Sequence, residues 1–105
     1  MGYGAKFGNI PNFPHGLKGI VVSHNAHIGQ NCTIFHQVTI GEGKNGAPII
    51  GNDCYIGTGT IVIGNIRIGD NVRIGAGTFV NFDIPDNSTV VSQKAKIIIK
   101  TNLEK

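Results

Sequence analysis

The sequence predicts an all-β protein, a parallel β-helix of about four coils with two loop insertions and no sizeable helix, and three observations carry that prediction. The first is a period. Aliphatic residues stand at Val22, Ile28, Ile34, Ile40, Ile50, Ile56, Val62, Ile68, Ile74 and Val80, six apart at every step but one. Six fits neither the 3.6-residue helix nor a straight strand of period two continued over such a length. It fits short strands joined by corners. The second observation is the residue three places on: Asn25, Asn31, Gln37, Gly43, Asp53, Gly59, Asn65, Asn71, Gly77 and Asp83. All but Gln37 are Asn, Asp or Gly, the types that tolerate positive φ at a turn. The third is the residue four places on, usually small or β-branched, as in Ala26, Cys32, Val38, Cys54, Thr60, Ile66, Val72 and Thr78. Such side chains suit a narrow interior beside Ile or Val. Three hexapeptides then close one triangular turn, and like corners stack about 4.8 Å apart.

Phe7 and Phe13 extend the series backwards, giving coils at 7, 13, 22; 28, 34, 40; 50, 56, 62; and 68, 74, 80. Two insertions interrupt them, "HGLKG" after Phe13 and "GEGKNGAP" after Ile40. In a regular solenoid such insertions are where function is usually placed. The phrase "DIPDNSTVV" ends the regular coil, and "SQKAKIIIK" adds a last strand or a tail. A β-helix over 1–91 and a C-terminal strand or tail over 92–105 are therefore expected.

A chain of 105 residues buries too little surface to be comfortable alone, so self-association is expected. No run of 18 apolar residues is present, and "MGYGAKFGNIPNF" lacks the apolar core of a signal peptide, which points away from membranes and towards the cytoplasm. Met1-Gly2 is a poor myristoylation start, since Lys6 stands where Ser or Thr is required. The formal charge is +3, and Lys94, Lys96, Lys100 and Lys105 gather near the C-terminus without interleaved aromatic residues. A small polyanionic ligand fits that pattern better than a nucleic acid.

His15 lies two residues after Phe13 and His36 two after Ile34, equivalent places in consecutive coils. They should be neighbours at one corner. The column continues through Thr58 and Ala76, whose small side chains open space beside them. A neutral imidazole within reach of a hydroxyl is the usual general base near pH 7. The plainer alternative is a surface histidine at the start of a loop. His24 and His27 form an H-x-x-H pair, but side chains alternate on a strand, so a solvated surface is favoured over a metal site and no metal is expected. Cys32 and Cys54 share the small inward position on consecutive coils and are expected to be buried, free thiols.

The stretches "FPHGLKGIVVSHNAHIGQNCTIFHQVTIGEG", "IIGNDCYIGTGTIVIGNIRIGDNVRIGAGTFV" and "DIPDNSTVV" carry a resemblance. From about residue 5 to 91 the chain resembles the C-terminal half of serine acetyltransferases and related polysaccharide acetyltransferases. The resemblance implies a left-handed winding, an exception to the usual right-handed crossover. It implies a homotrimer with acetyl-CoA in the groove between adjacent β-helices, and it puts His15 in the place of the catalytic histidine. Carried over residue by residue, the coenzyme contacts are Thr58 and Gly59 in one coil, Ala76 and Gly77 in the next, and Gly41, Gly43 and Lys44 in the loop, with Lys96 meeting a phosphate. Each of these glycines also serves as a corner.

The implied reaction is direct transfer to a small hydroxyl acceptor. His15 takes the hydroxyl proton, a groove N–H stabilises the oxyanion, and His36 orients His15 or contacts the acceptor. Three departures bear on it. The helical N-terminal domain and the acidic partner of the histidine lie outside these 105 residues, Ala47-Pro48 stands where the longer loop of the serine enzymes resembles H-P, and "SQKAK" keeps only Ala95-Lys96 of a G-V-P-A-K-like contact. The acceptor is thus serine or a sugar, with a non-serine hydroxyl slightly ahead. The rival is a non-catalytic trimeric β-helix that binds a ligand or serves assembly. A hexapeptide zinc hydratase is disfavoured because "IGTGTIVIG" offers only threonines, and an ice-binding coil because Thr33, Thr39, Thr58 and Thr60 form no continuous rank.

Overall fold

A computed structural model describes residues 6–99. The Met1-Gly2 start, Lys100, Lys105 and the rest of 100–105 lie outside the described residues. Among the described residues, twelve strands of two or three residues form three parallel sheets, the faces of a triangular coil. Face A stacks β1 (Lys6–Phe7), β3 (His27–Ile28), β6 (Ile49–Ile50) and β9 (Arg67–Ile68). Face B stacks β4 (Thr33–Ile34), β7 (Tyr55–Ile56), β10 (Arg73–Ile74) and β12 (Thr89–Val90). Face C stacks β2 (Val21–Val22), β5 (Thr39–Gly41), β8 (Ile61–Ile63) and β11 (Phe79–Val80). No helix occurs among the described residues, so none is long and apolar enough to cross a membrane.

The register is the one the period dictates. Ile28 pairs with Ile50 and Ile50 with Ile68; Ile34, Ile56 and Ile74 follow one another on face B, as do Val22, Ile40, Val62 and Val80 on face C. Each strand sends this residue inward and its predecessor outward, because side chains alternate along β-structure. The inward columns are buried, and each fully buried Ile or Val contributes about 1.5–3 kcal/mol.

Four coils are complete, and the winding then continues for two faces of a fifth. Ile84 bridges to Ile68 and Val90 pairs with Ile74. The regular spacing breaks between Val80 and Ile84, where the corner shortens to four residues, and a step of six then resumes to Val90. No strand forms over 92–99, and Ile97, Ile98 and Ile99 are exposed.

The corners fall into two kinds. Between faces A and B, Asn31, Asp53, Asn71 and Asn87 have φ of 56–59°; between B and C, Gln37, Gly59 and Gly77 have φ of 58°, 72° and 68°. Between C and A the expected residues Asn25, Gly43, Asn65 and Asp83 do not adopt positive φ, and Gly46 and Gly64 do so instead. At the A–B corner a side-chain ladder reinforces the coil. Asn52, Asp70 and Asp86 each accept from a backbone N–H of the preceding coil, at Gln30, Asn52 and Asp70, over 2.7–2.8 Å. Gly29, Gly51 and Gly69 leave room for it, since a Cβ there would collide with the ladder oxygen above.

Cys32 and Cys54 are buried and free, each thiol donating to a carbonyl of the next coil, Gly51 at 3.3 Å and Gly69 at 3.2 Å. The neighbouring Cys32 thiol, and then burial, push the Cys54 thiol above its ordinary range.

Candidate active site at the B–C corner

Asn12 fixes the first coil on the second. Its N–H donates to Cys32 C=O at 2.8 Å and its carbonyl accepts from Ile34 N–H at 2.9 Å. With that register locked, His15 and His36 rise at the same corner. Their ring centroids are 4.9 Å apart at an interplanar angle of 78°, both on one side of consecutive coils. The insertion 15–19 turns away immediately after His15: Gly16 N–H bonds Phe13 C=O, and the carbonyl of Lys18 accepts from Gln37 N–H at 2.9 Å. His15 is exposed and His36 half-buried. The Nδ1 of His36 is buried and has no hydrogen-bond partner among the described residues. No carboxylate pairs with His15 among the described residues either, and the residue before it is Pro14.

Above the histidines the corner is bare backbone. Gly59 N–H bonds His36 C=O at 3.2 Å, and Gly77 N–H bonds Thr58 C=O at 2.8 Å. A Cβ built on Gly59 or Gly77 would meet nothing within 4 Å. A ligand can therefore approach this edge closely, with Thr58 half-buried and Ala76 exposed beside it. Ser92 occupies the next place in the column, donating to Gly77 C=O at 3.1 Å and Thr78 Oγ1 at 3.2 Å. Behind the edge, the buried hydroxyls of Thr60 and Thr78 both donate to Gly75 C=O.

The loop candidates lie elsewhere. Gly41 ends β5, and 42–47 project at the C–A corner, so the width of face C separates Gly41, Gly43 and Lys44 from His15 within one chain. Glu42 pins this loop to the first coil by accepting from Asn25 Nδ2 at 2.7 Å and Ser23 Oγ at 3.2 Å. Those bonds, Asn25 first, hold its carboxyl below the usual range. Lys44 and Lys96 are exposed, Lys96 on the strandless segment that follows Ser92. His24 and His27 are exposed, His27 on the outward rank of face A, and no group of three metal-ligating side chains occurs among the described residues. Two concavities, of about 430 and 360 Å³, lie on face A around Arg67, Gly69 and Asp86, away from the histidines.

Two site neighbours escape the repeat count. The Phe35 ring packs 5.7 Å from His15 and 5.0 Å from Tyr55, and the Arg73 guanidinium carbon sits 4.4 Å over the Tyr55 ring. The signal was present: "IFH" breaks the Ile-Gly pair that recurs in the coils above it.

The family described as "Hexapep: Bacterial transferase hexapeptide (six repeats)" matches residues 47–81. A serine acetyltransferase of Helicobacter pylori strain J99 is 43% identical over 102 residues, covering 92% of this chain and 58% of its own length. One from Synechococcus elongatus is 38% identical over 104 residues, covering 95% and 42%. The chain spans about half the length of these curated relatives. Among solved structures, serine acetyltransferase isoform 3 of Entamoeba histolytica in complex with cysteine superposes with a TM-score of 0.81 at 37% identity, over 95% of this chain and 37% of that one. The Neisseria gonorrhoeae serine acetyltransferase in complex with serine gives 0.80 at 38% identity, over 90% and 39%. Matched along nearly its whole length in sequence and in fold, the chain is a left-handed β-helix with hexapeptide repeats that is similar to serine acetyltransferases over about half the length of the curated relatives.

Proposed function

We propose that this β-helix transfers an acetyl group from acetyl-CoA to a small hydroxyl acceptor, with His15 as the general base. The observation that carries the reading is the pair of imidazoles at 4.9 Å beside a corner whose outer edge is glycine backbone. In this reading the pantetheine arm lies along Thr58, Gly59, Ala76 and Gly77, where a larger side chain would hold it off. His15 accepts the hydroxyl proton as oxygen attacks the thioester carbonyl, and the thiolate leaves with the coenzyme. Because the Gly59 and Gly77 amides are committed between coils, the oxyanion is met by a donor from a facing copy of the chain.

That copy belongs to a trimer. Face C presents Val21, Ile61 and Phe79 outward, 57%, 38% and 56% exposed, in one rank with Thr39. Burying this rank against neighbours lays the B–C corner beside an adjacent subunit's C–A corner and brings Gly41, Gly43 and Lys44 to the groove from across the interface. Lys96 meets a coenzyme phosphate. Free thiols fit a reducing cytoplasm.

A scaffold that binds ligand without catalysis is the second reading, favoured by the lack of a carboxylate beside His15 among the described residues. The two part at His15→Ala. As the general base it should lower turnover by about 10² to 10⁴ while leaving assembly and acetyl-CoA binding intact. Turnover that survives the substitution would remove His15 from the chemistry. Absence of thioester cleavage by the unaltered chain with any acceptor would favour the scaffold.

A further inference from the structure

We infer that Glu42 of the partner subunit reaches across the trimer interface to the His15 ring and holds it in the orientation and tautomer a general base needs, so that each catalytic corner is completed by two chains. The inference rests on the acetyl-transfer and trimer readings and adds a positioning residue to that same site.

Face C is flanked by the B–C corner on one side and the C–A corner on the other. When three copies bury that face around a common axis parallel to the coils, the B–C corner of each copy meets the C–A corner of the next. Rotation about such an axis leaves height along the coil unchanged. The first two coils, which carry His15 and His36, therefore meet the corners that close the neighbour's first two coils, residues 23–26 and 41–48. Glu42 is the carboxylate at that height. Asp83 stands at the same corner but closes the fourth coil, about 10 Å higher, level with Ala76 and Gly77 and not with the histidines. Asp53, Asp70 and Asp86 occupy the A–B corner, which this assembly turns away from the interface.

Glu42 is half engaged. Both bonds that fix it within its own chain, from Asn25 Nδ2 at 2.7 Å and Ser23 Oγ at 3.2 Å, end on Oε1. Oε2 has no hydrogen bond among the described residues, and the side chain is exposed. A carboxylate already held by one oxygen has lost most of its rotamer freedom, so the other oxygen orders a partner at little further entropic cost. Its charge is favoured by Asn25 first and then Ser23, with His24 adding a weaker attraction. His15 supplies the complement. Its exposed ring packs on His36 at 4.9 Å and Phe35 at 5.7 Å, and no carboxylate of its own chain pairs with it among the described residues. With one ring N–H donated to Oε2, the other nitrogen is left unprotonated to meet the acceptor. That nitrogen takes the hydroxyl proton as the acceptor oxygen bonds the acetyl carbon and the carbon–sulfur bond breaks. The carboxylate stabilises the imidazolium so formed, and the proton then passes to the departing thiolate.

The test measures coenzyme thiol release by the whole chain with acetyl-CoA and L-serine or a methyl glycoside of glucose, galactose or N-acetylglucosamine, whichever turns over fastest. Glu42→Gln keeps an acceptor at Oε1 for Asn25 and Ser23 and converts only the free oxygen into a donor. It should lower kcat about 10- to 100-fold, with the KM for acetyl-CoA within about twofold and the trimer intact by sedimentation. Mixed trimers decide between one chain and two. His15→Ala and Glu42→Gln chains, co-expressed with different tags and purified through both, form rings that each contain a single junction of intact His15 with intact Glu42. They should recover about a third of the unaltered activity, where each parent trimer retains about a tenth or less. Mixed trimers no more active than the better parent, an unchanged kcat in Glu42→Gln, or a loss confined to the acceptor KM would overturn the inference and leave acetyl transfer by His15 standing. Undiminished turnover by His15→Ala, or thiol release with none of these acceptors, would remove the underlying reading and this inference together.

Discussion

Gly57 and Gly59 stand two residues apart beside the histidine corner, yet the structure gives them opposite reasons to be glycine, and alanine at each separates those reasons. A Cβ on Gly57 would lie 2.6 Å from the backbone N of Ala76 and 2.9 Å from its Cα. To reach ordinary contact near 3.4 Å, the third and fourth coils must part locally by about 0.8 Å. The Gly57 N–H to Ile74 C=O bond, now 2.8 Å, would then stretch beyond about 3.5 Å and cease to count as a hydrogen bond. One lost ladder bond costs about 1 kcal/mol and overpacking about 1–3 more. Gly57→Ala should thus destabilise by about 2–4 kcal/mol, which for a chain of this size lowers Tm by roughly 10–25 °C. Gly59→Ala meets nothing within 4 Å but must hold φ at 72°, a cost of about 1 kcal/mol or slightly more. Its Tm should fall by only about 4–10 °C. Thermal unfolding followed by circular dichroism, at equal chain concentration because assembly contributes to Tm, measures both. A Gly57→Ala protein that melts within a few degrees of the unaltered chain, or above Gly59→Ala, would refute the close approach of the coils at this corner.

Two further outcomes follow from the surface. Phe79→Asp places a charge at the upper end of the outward rank of face C, which should shift sedimentation from the proposed trimer to monomer at micromolar concentration; a trimer unchanged by it would move the interface to another face. Glu42 should titrate below the ordinary carboxyl value of 4.5, since its bonds to Asn25 and Ser23 favour the charged form. Because the folded value is the lower one, the clamp is complete above 4.5 and is lost as pH falls through the depressed value. Carbon-detected NMR of the Glu42 carboxyl should follow that transition together with the Asn25 side-chain amide, and a midpoint at or above 4.5 contradicts the clamp.

The coil was legible because its information is one-dimensional: a residue every six places fixes both which side chains point inward and which coils face each other. His15 and His36 could be paired from that count alone, and the rings meet. What the count misses is whatever departs from the period. Ile84 and Val90 belong to the inner columns, but the shortened corner before Ile84 hides them. At the C–A corner the backbone places its left-handed residue at Gly64, one position before the Asn65 that the spacing singles out, because each corner type has its own path. Phe35 and Tyr55 are diagonal neighbours across coils, a relation that only the assembled register displays. Gly41, Gly43 and Lys44 were grouped with the corner residues by resemblance, and within one chain the width of face C separates them.

The ladder at the A–B corner has a direction. From Asn52 onward, each coil's side chain completes the backbone of the coil before it, Asn52 serving Gln30, Asp70 serving Asn52 and Asp86 serving Asp70. The stretch from Ile50 to Arg67 is therefore an interchangeable cassette that receives the same oxygen on one side and supplies it on the other. Duplicating that cassette in the gene would lengthen the rod by one rung and leave every corner bond with a partner of the same kind. The histidines sit in the first two coils, below that cassette, so an added rung leaves the contact between their rings unaltered. Length, and with it the span of groove available to a long ligand, is set by copy number and not by invention of new contacts.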